Sequence, residues 1–228
     1  MQESDSENSD DPDTNKFFSN SFPSLQIRNA KPEDAGQIAP LIYRTDPETF
    51  NFEYGVQKKS ILDYISCSFR QKNSYFSFQK TMVVEDRYER IAGVVTSFDY
   101  DFSTKAVLQE YKIYLEWAGI FKTIGFLHRE AVVNKYWVLP DKDSLYIAFY
   151  SIAPRWQGTG LSRYLFEEAL NFAKNRGYRK VELDVDIDNE KAKKLYSKMG
   201  FQIKQILNYG NLENKYKIPA TQVMLKYL

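Results

Sequence analysis

The chain has 228 residues, 43% hydrophobic and 27% charged, the make-up of a soluble globular protein with one sizeable core or two small ones. Cys67 is the only cysteine and His128 the only histidine, which excludes an intrachain disulfide and a zinc site of the usual ligand types. The net charge of +1 is uneven: Met1–Asp13 holds six acids and no base, leaving about +7 on the remainder, with no single basic stripe of the kind a nucleic-acid surface needs.

Residues 1–22 are acidic and rich in Ser, Asn and Asp, so a disordered tail is expected, with Phe17, Phe18 and Phe22 available to dock on the domain or a partner. The opening lacks the basic-then-apolar pattern of a signal peptide. No apolar run approaches the roughly 20 residues of a membrane span, so a cytoplasmic protein without a membrane partner is expected. Residues 23–228 read as a single domain.

Leu25–Arg28 alternates as a short strand, and Pro32-Glu33-Asp34 opens a helix that runs to about Tyr43, with Pro40 expected to kink it or shift its start. Thr45–Gly55 reads as an aromatic loop carrying Phe50, Phe52 and Tyr54. Lys58–Arg70 is a second helix, and Cys67 within it is read as a small buried hydrophobe rather than a nucleophile. Tyr75–Glu85 and Ile91–Phe98 form a hairpin about a polar turn. Residues 102–137 read as a helical insert of two helices, broken near Gly119 or Gly125.

Leu145–Ile152 is an apolar strand ended by Pro154. Gly158 and Gly160 then open a helix carrying Leu161, Leu165, Ala169, Phe172 and Ala173 on one face. A helix start has unpaired N–H groups and partial positive charge, and glycines let an anion come close. The pattern is neither a P-loop nor a Gly-x-Gly-x-x-Gly fingerprint, since Arg163 stands at the third glycine position. Read alone, it is equally a tight turn with no ligand.

Lys180–Ile187 alternates strictly, with Val181, Leu183, Val185 and Ile187 on one face. Asp188-Asn189-Glu190 caps a helix through Leu195 and Tyr196 that stops at Gly200. Phe201–Ile203 starts another strand, Asn208–Pro219 is polar and turn-like, and Thr221–Leu228 is a last strand. The order β-α-α-β-β-(helical insert)-β-α-β-α-β-β describes one mixed α/β domain.

These residues resemble the GCN5-related N-acetyltransferase (GNAT) superfamily. The resemblance rests on Gln157-Gly158-Thr159-Gly160-Leu161-Ser162, which is close to the family's pyrophosphate loop, and on the strand Leu183-Asp184-Val185 about two dozen residues on. It rests also on Asn189-x-x-Ala192-x-x-Leu195-Tyr196 and on Met199-Gly200-Phe201. Motif spacing is closest to the ribosomal-protein alanine N-acetyltransferases, which does not fix the acceptor. The likeness is strong over 145–201, carried by element order over 25–98, and lost over 102–137, where the core family has only a short connection.

The resemblance implies a GNAT fold, a mixed sheet with a helical insertion between the third and fourth strands, and acetyl-CoA as donor, with no metal. Backbone of Tyr150, Ser151 and Ile152 would pair with the pantetheine arm. N–H groups from Gly158, Thr159, Gly160, Leu161, Ser162 and Arg163 would hold the pyrophosphate, with Gln157 at the mouth of the loop and Asn189 as a further contact. Ser162 departs from the family's Gly or Ala, and a small hydroxyl there leaves room for a phosphate. Tyr196 is implied as general acid toward the CoA thiolate, against the plain reading of a packing tyrosine. Asp184, one methylene shorter than the glutamate some members carry, is a candidate base; a water relay is the alternative. Asp184 shares its face with Glu182 and Asp186, whose like charges could raise its pKa.

The implied reaction moves an acetyl group to a primary amine on a small molecule or peptide. A non-catalytic CoA-binding sensor and a nucleic-acid-associated protein are the alternatives, and a monomer or homodimer is expected. Tyr43, Phe50, Phe52 and Tyr54, with Tyr146, are candidates for the acceptor wall, and the insert for a lid or extra packing layer.

Overall fold

The computed structural model describes residues 22 and 24–228, so the expected tail lies, apart from Phe22, outside the described residues. The elements are β1 (Leu25–Asn29), α1 (Ala35–Tyr43), α2 (Pro47–Tyr54), α3 (Lys58–Phe69), β2 (Thr81–Asp86), β3 (Ile91–Phe98), α4 (Tyr100–Ala118) and α5 (Ile120–Val133). They continue with β4 (Ser144–Ile152), α6 (Leu161–Asn175), β5 (Lys180–Asp186), α7 (Glu190–Lys198), β6 (Gln202–Leu207), α8 (Asn211–Tyr216) and β7 (Thr221–Tyr227). The seven strands form one mixed sheet in the order β1-β2-β3-β4-β5-β7-β6, with only the β4–β5 pair parallel.

Strand alternation divides the core between the two faces of the sheet. Val83, Val94 and Phe149 point to the face covered by α1, α2, α3 and the α4–α5 pair. Val84, Val95, Leu145, Ile147, Val181 and Leu183 point to the face covered by α6 and α7. Leu161, Leu165, Phe166, Ala169 and Ala173 of α6 are all buried there, each of the larger ones contributing roughly 1.5–3 kcal/mol of burial.

Three expectations are corrected. The aromatic loop is the helix α2: Asp46 caps it by accepting from the Thr49 N–H at 3.1 Å, and Pro47 occupies its first turn. Its apolar periodicity is weak because Phe50 and Tyr54 face the core while Asn51 is exposed and Glu53 faces a cavity. The α2 end needs Gly55, whose φ is +58° and whose Cβ position is filled by the Arg129 guanidinium. Arg129 donates to the carbonyls of Glu53 at 2.9 Å and Tyr54 at 3.0 Å, capping α2 from α5.

Secondly, β2 begins only at Thr81, because Ser77 caps a short 3-10 turn at Phe78–Lys80. Thirdly, the polar stretch before β7 contains α8, whose Tyr216 packs on Phe52 at 4.4 Å between ring centroids. Between β3 and β4 the helical stretch breaks at Gly119, at φ +79° and ψ 168°, and Gly125 lies inside α5. Helix α1 continues through Pro40, its start set at Ala35 by a preceding 3-10 turn.

One irregularity positions everything that follows. The parallel pairing of β4 with β5 covers only Ser144–Ile147 against Lys180–Leu183, although both strands continue. The register of β4 against β3 shifts between Thr96 and Ser97, leaving Ala148 as an extra residue, a bulge that bends the strand. Beyond Ile147 the two strands part, and the sheet opens in a wedge.

Candidate active site

The wedge leads into a cavity of about 890 Å³ lined from both faces of the sheet: Phe50, Tyr54 and Phe149 on one side, Ile152, Ser162 and Tyr196 on the other. Its first wall is the free edge of β4. The Ala153 N–H donates to Ala92 of β3 at 2.8 Å, so alternation turns Ser151 toward β3 and the backbone groups of Tyr150 and Ile152 toward the wedge. Of the three residues read as a strand-like edge, two therefore offer their backbone groups there.

The glycine turn lies at one end. Gly158 and Gly160 have φ of +80° and +91°, conformations that side chains resist, and a Cβ on Gly158 would stand in open space within 4 Å. Helix α6 starts without a side-chain cap, and the Thr159 hydroxyl donates to the Trp156 carbonyl at 2.7 Å, closing the turn. Gln157 and Arg163 are exposed beside it; Gln157 donates to the Ile152 carbonyl at 3.3 Å and Arg163 pairs with Glu167. Leu161 is fully buried and anchors the helix, so only its backbone is available. Gly158, Gln157 and Ser162 line the cavity, whereas Thr159, Gly160, Leu161 and Arg163 do not. Ser162 proves to be tied down: the Tyr150 hydroxyl donates to its carbonyl and lies 3.0 Å from its Oγ. Phe22 stacks on Tyr164 at 6.0 Å next to the turn.

Facing β4 across the wedge is α7. Asn189 caps it, accepting from the Ala192 N–H at 3.2 Å, and also lines the cavity. One side further along, Tyr196 is 7% exposed, its ring held between Phe166 at 5.1 Å and Phe201 at 5.9 Å. No side chain or backbone group among the described residues bonds its hydroxyl. Burial raises its pKa, so it stays protonated.

On β5, Asp184 accepts from the Tyr146 hydroxyl at 3.0 Å. Burial pushes its pKa up to about 6, with the Glu182 charge a smaller contribution. The three carboxylates read along this face are therefore not equivalent. Glu182, 1% exposed, is paired with Lys204 at 2.8 Å and accepts from the Asp141 N–H at 2.8 Å. Asp186 has no hydrogen-bond donor among the described residues, and burial, then Asp46 and Glu48, push it up to about 7.

Further acids meet this cavity from elements far apart in sequence. Glu53 of α2 has no donor among the described residues, and burial, then Asp46 and Glu130, push it up to about 8. Glu110 of α4 is satisfied by Tyr64, by Ser68 at 3.0 Å and by the Tyr75 N–H at 3.0 Å. Sequence reasoning missed Glu53 and Glu110 because only the folded α2–α4–α5 layer brings them to the wedge. Of the proposed acceptor wall, Phe50, Tyr54 and Tyr146 line the cavity; Tyr43 is buried and bonded to Asn51, and Phe52 packs on α8. Val107, Phe126, Glu130 and Trp137 bring the α4–α5 layer and the segment after it into the lining.

The sequence profile of the acetyltransferase (GNAT) family matches residues 43–201, well over half of the chain. The chain belongs to the GNAT family. Among curated GNAT relatives, N-alpha-acetyltransferase 30 of Schizosaccharomyces pombe is 34% identical over 65 residues, covering 28% of this chain and 43% of that protein. A probable N-acetyltransferase, family 8 member 5, of Mus musculus is 27% identical over 100 residues, covering 37% of this chain and 44% of that protein. The match spans less than half the length of these GNAT relatives. The crystal structure of an N-acetyltransferase from Staphylococcus aureus superposes with a TM-score of 0.66 at 23% identity, over 88% of this chain and all of the other. It has the same fold, the GNAT mixed sheet.

Proposed function

We propose that the protein is an acetyl-CoA-dependent N-acetyltransferase that acetylates a primary amine. The observation that carries this reading is the Tyr196 hydroxyl, buried, protonated and unbonded, opening on the wedge opposite the free edge of β4. A donor fits on two independent grounds. The β4 edge offers backbone groups of Tyr150 and Ile152 to an extended arm, as an added strand would use them. The glycine turn leaves open space beside the Gly158 backbone for a phosphate.

When bound, acetyl-CoA supplies the acetyl group as a thioester. Tyr150 and Ile152 fix its arm, and an N–H on this edge polarises the carbonyl. The wedge holds the amine against that carbonyl, which itself supplies much of the rate. Asp184 takes the proton the amine sheds as the new C–N bond forms, directly or through one water. Tyr196 gives a proton to the sulfur as the C–S bond breaks. Ser162 serves by position: bonded to Tyr150, it links the turn to the strand.

Thiol release from acetyl-CoA with a broad panel of amines tests the reading. Turnover abolished or strongly reduced in Tyr196→Phe is expected. Donor binding by calorimetry without turnover of any amine would leave a CoA-binding sensor instead.

A further inference from the structure

Resting on that reading, we propose that the acceptor is a short linear amine with at least one further positive charge, a diamine or polyamine, whose distal cation is held by Glu53 and Asp186. Six carboxylates line the cavity (Asp46, Glu53, Glu110, Glu130, Asp184 and Asp186) against two bases, Arg44 and Lys191. The chain after Asp13 is basic overall, so this acidity is local to the cavity and opposite in sign to the rest.

Most of these acids have partners within the protein. Glu110 has Tyr64, Ser68 and Tyr75; Asp184 has Tyr146; Asp46 caps α2; Glu130 is bonded by Tyr111 and Asn134. Among the described residues, Glu53 and Asp186 have none. Glu53 and Asp186 are both half-buried, and both line the cavity. Burying an unpaired carboxyl is costly unless a ligand supplies donors and charge.

An anionic acceptor is disfavoured by this lining, and a plain alkylamine leaves both carboxyls unanswered. A peptide N-terminus brings one charge followed by carbonyl acceptors, for which the acidic wall has few donors. A second ammonium answers the carboxyls, and the rings of Phe50, Tyr54 and Tyr146 provide the apolar and cation-accepting surface its methylene chain needs. Both orphan acids feel the Asp46 charge and line the same cavity as Asp184, so a short chain can set its distal cation at them and its reacting amine beside Asp184.

The test uses the full chain with 1,4-diaminobutane, spermidine, n-butylamine and an alanine-initiated tripeptide, read both as thiol release and as binding by calorimetry without acetyl-CoA. We expect kcat/KM for the diamine to exceed that for butylamine by about 100-fold. Glu53→Gln and, separately, Asp186→Asn should raise the diamine KM about tenfold with a smaller change in kcat, and a smaller effect on butylamine. Equal kcat/KM for diamine and butylamine, preference for the tripeptide, or variants that leave the diamine KM unchanged would overturn the proposal. Diamine binding that is lost in Glu53→Gln, without thiol release from any amine, would support the acidic site and overturn the transferase reading alone. Turnover of other amines with no diamine binding would do the reverse.

Discussion

At the residue scale, the assignments divide the chemistry between two groups with separable signatures. Under the proposed mechanism Tyr196→Phe removes a proton donor but no ring contact, so the fold should persist while kcat is expected to fall about 100-fold, the lower end of general-acid contributions. A stopped-flow or thiol-trapping assay checks this, and unchanged kcat across pH 6–9 would rule the donor role out. Asp184 must be ionised to act as a base. Its pKa of about 6 therefore predicts a rate that rises as pH climbs through 6 and levels off above it. In Asp184→Asn that rising limb should vanish along with most of the rate; a variant that retained the limb would point to a water relay. The spacing from Asn189 to Tyr196 put both residues on one helix, and both line the cavity, because a motif on one helix travels intact through folding. The order of the acids along β5 was legible too, but not their environments. Alternation set Glu182 beside Asp184 as an active charge, whereas Lys204 from the edge strand β6 pairs with it and burial is the main influence on Asp184.

At the element scale, strands and helices with a strict period were readable, and those whose pattern serves two surfaces were not. Helix α2 buries Phe50 and Tyr54 and also turns Glu53 to the cavity, so its apolar stripe is interrupted; the Asp46-Pro47 start and Gly55 end were the signals available. Its far cap comes from Arg129, 75 residues away from Tyr54, which no local pattern can display. The junction of β3, β4 and α6 carries its own expectation. A Cβ on Gly93 would stand 2.7 Å from Ile152 Cδ1 and 3.0 Å from Leu165 Cδ2. Gly93→Ala is therefore expected to cost about 1–3 kcal/mol by overpacking, and to weaken acetyl-CoA binding by displacing Ile152. Urea unfolding and calorimetry check both, and an unchanged midpoint would show that α6 yields freely.

On the scale of the whole molecule, the acidic cavity sets the pH dependence of stability. Glu53, Asp186, Glu110 and Asp184 have pKa values of about 8, 7, 6 and 6, against about 4 for carboxyls in the unfolded chain. Between those values the folded state holds more protons than the unfolded one, so stability falls as pH rises from 5 toward 8. Asp34, Glu85, Asp86 and Asp141 have lowered pKa values through Arg28, Arg90, Lys180 and Lys204; the stability they add is lost as pH falls below about 4. A thermal midpoint greatest near pH 5–6 is expected, with the decline toward pH 8 shallower in Glu53→Gln. A midpoint that rose steadily to pH 8 would contradict the burial of these groups.

The parting of β4 from β5 has a mechanical side. The sheet is continuous on either flank, yet its two halves are joined laterally by four residue pairs, Ser144–Ile147 with Lys180–Leu183. We expect such a seam to act as a flexure, letting β1–β4 and β5–β7 rotate slightly about it without breaking any other ladder. The amides of Tyr150 and Ile152 should exchange with deuterium rapidly in the free protein and slowly once an extended ligand lies along the edge. The protection should end abruptly at Ile147, where the ladder is already closed.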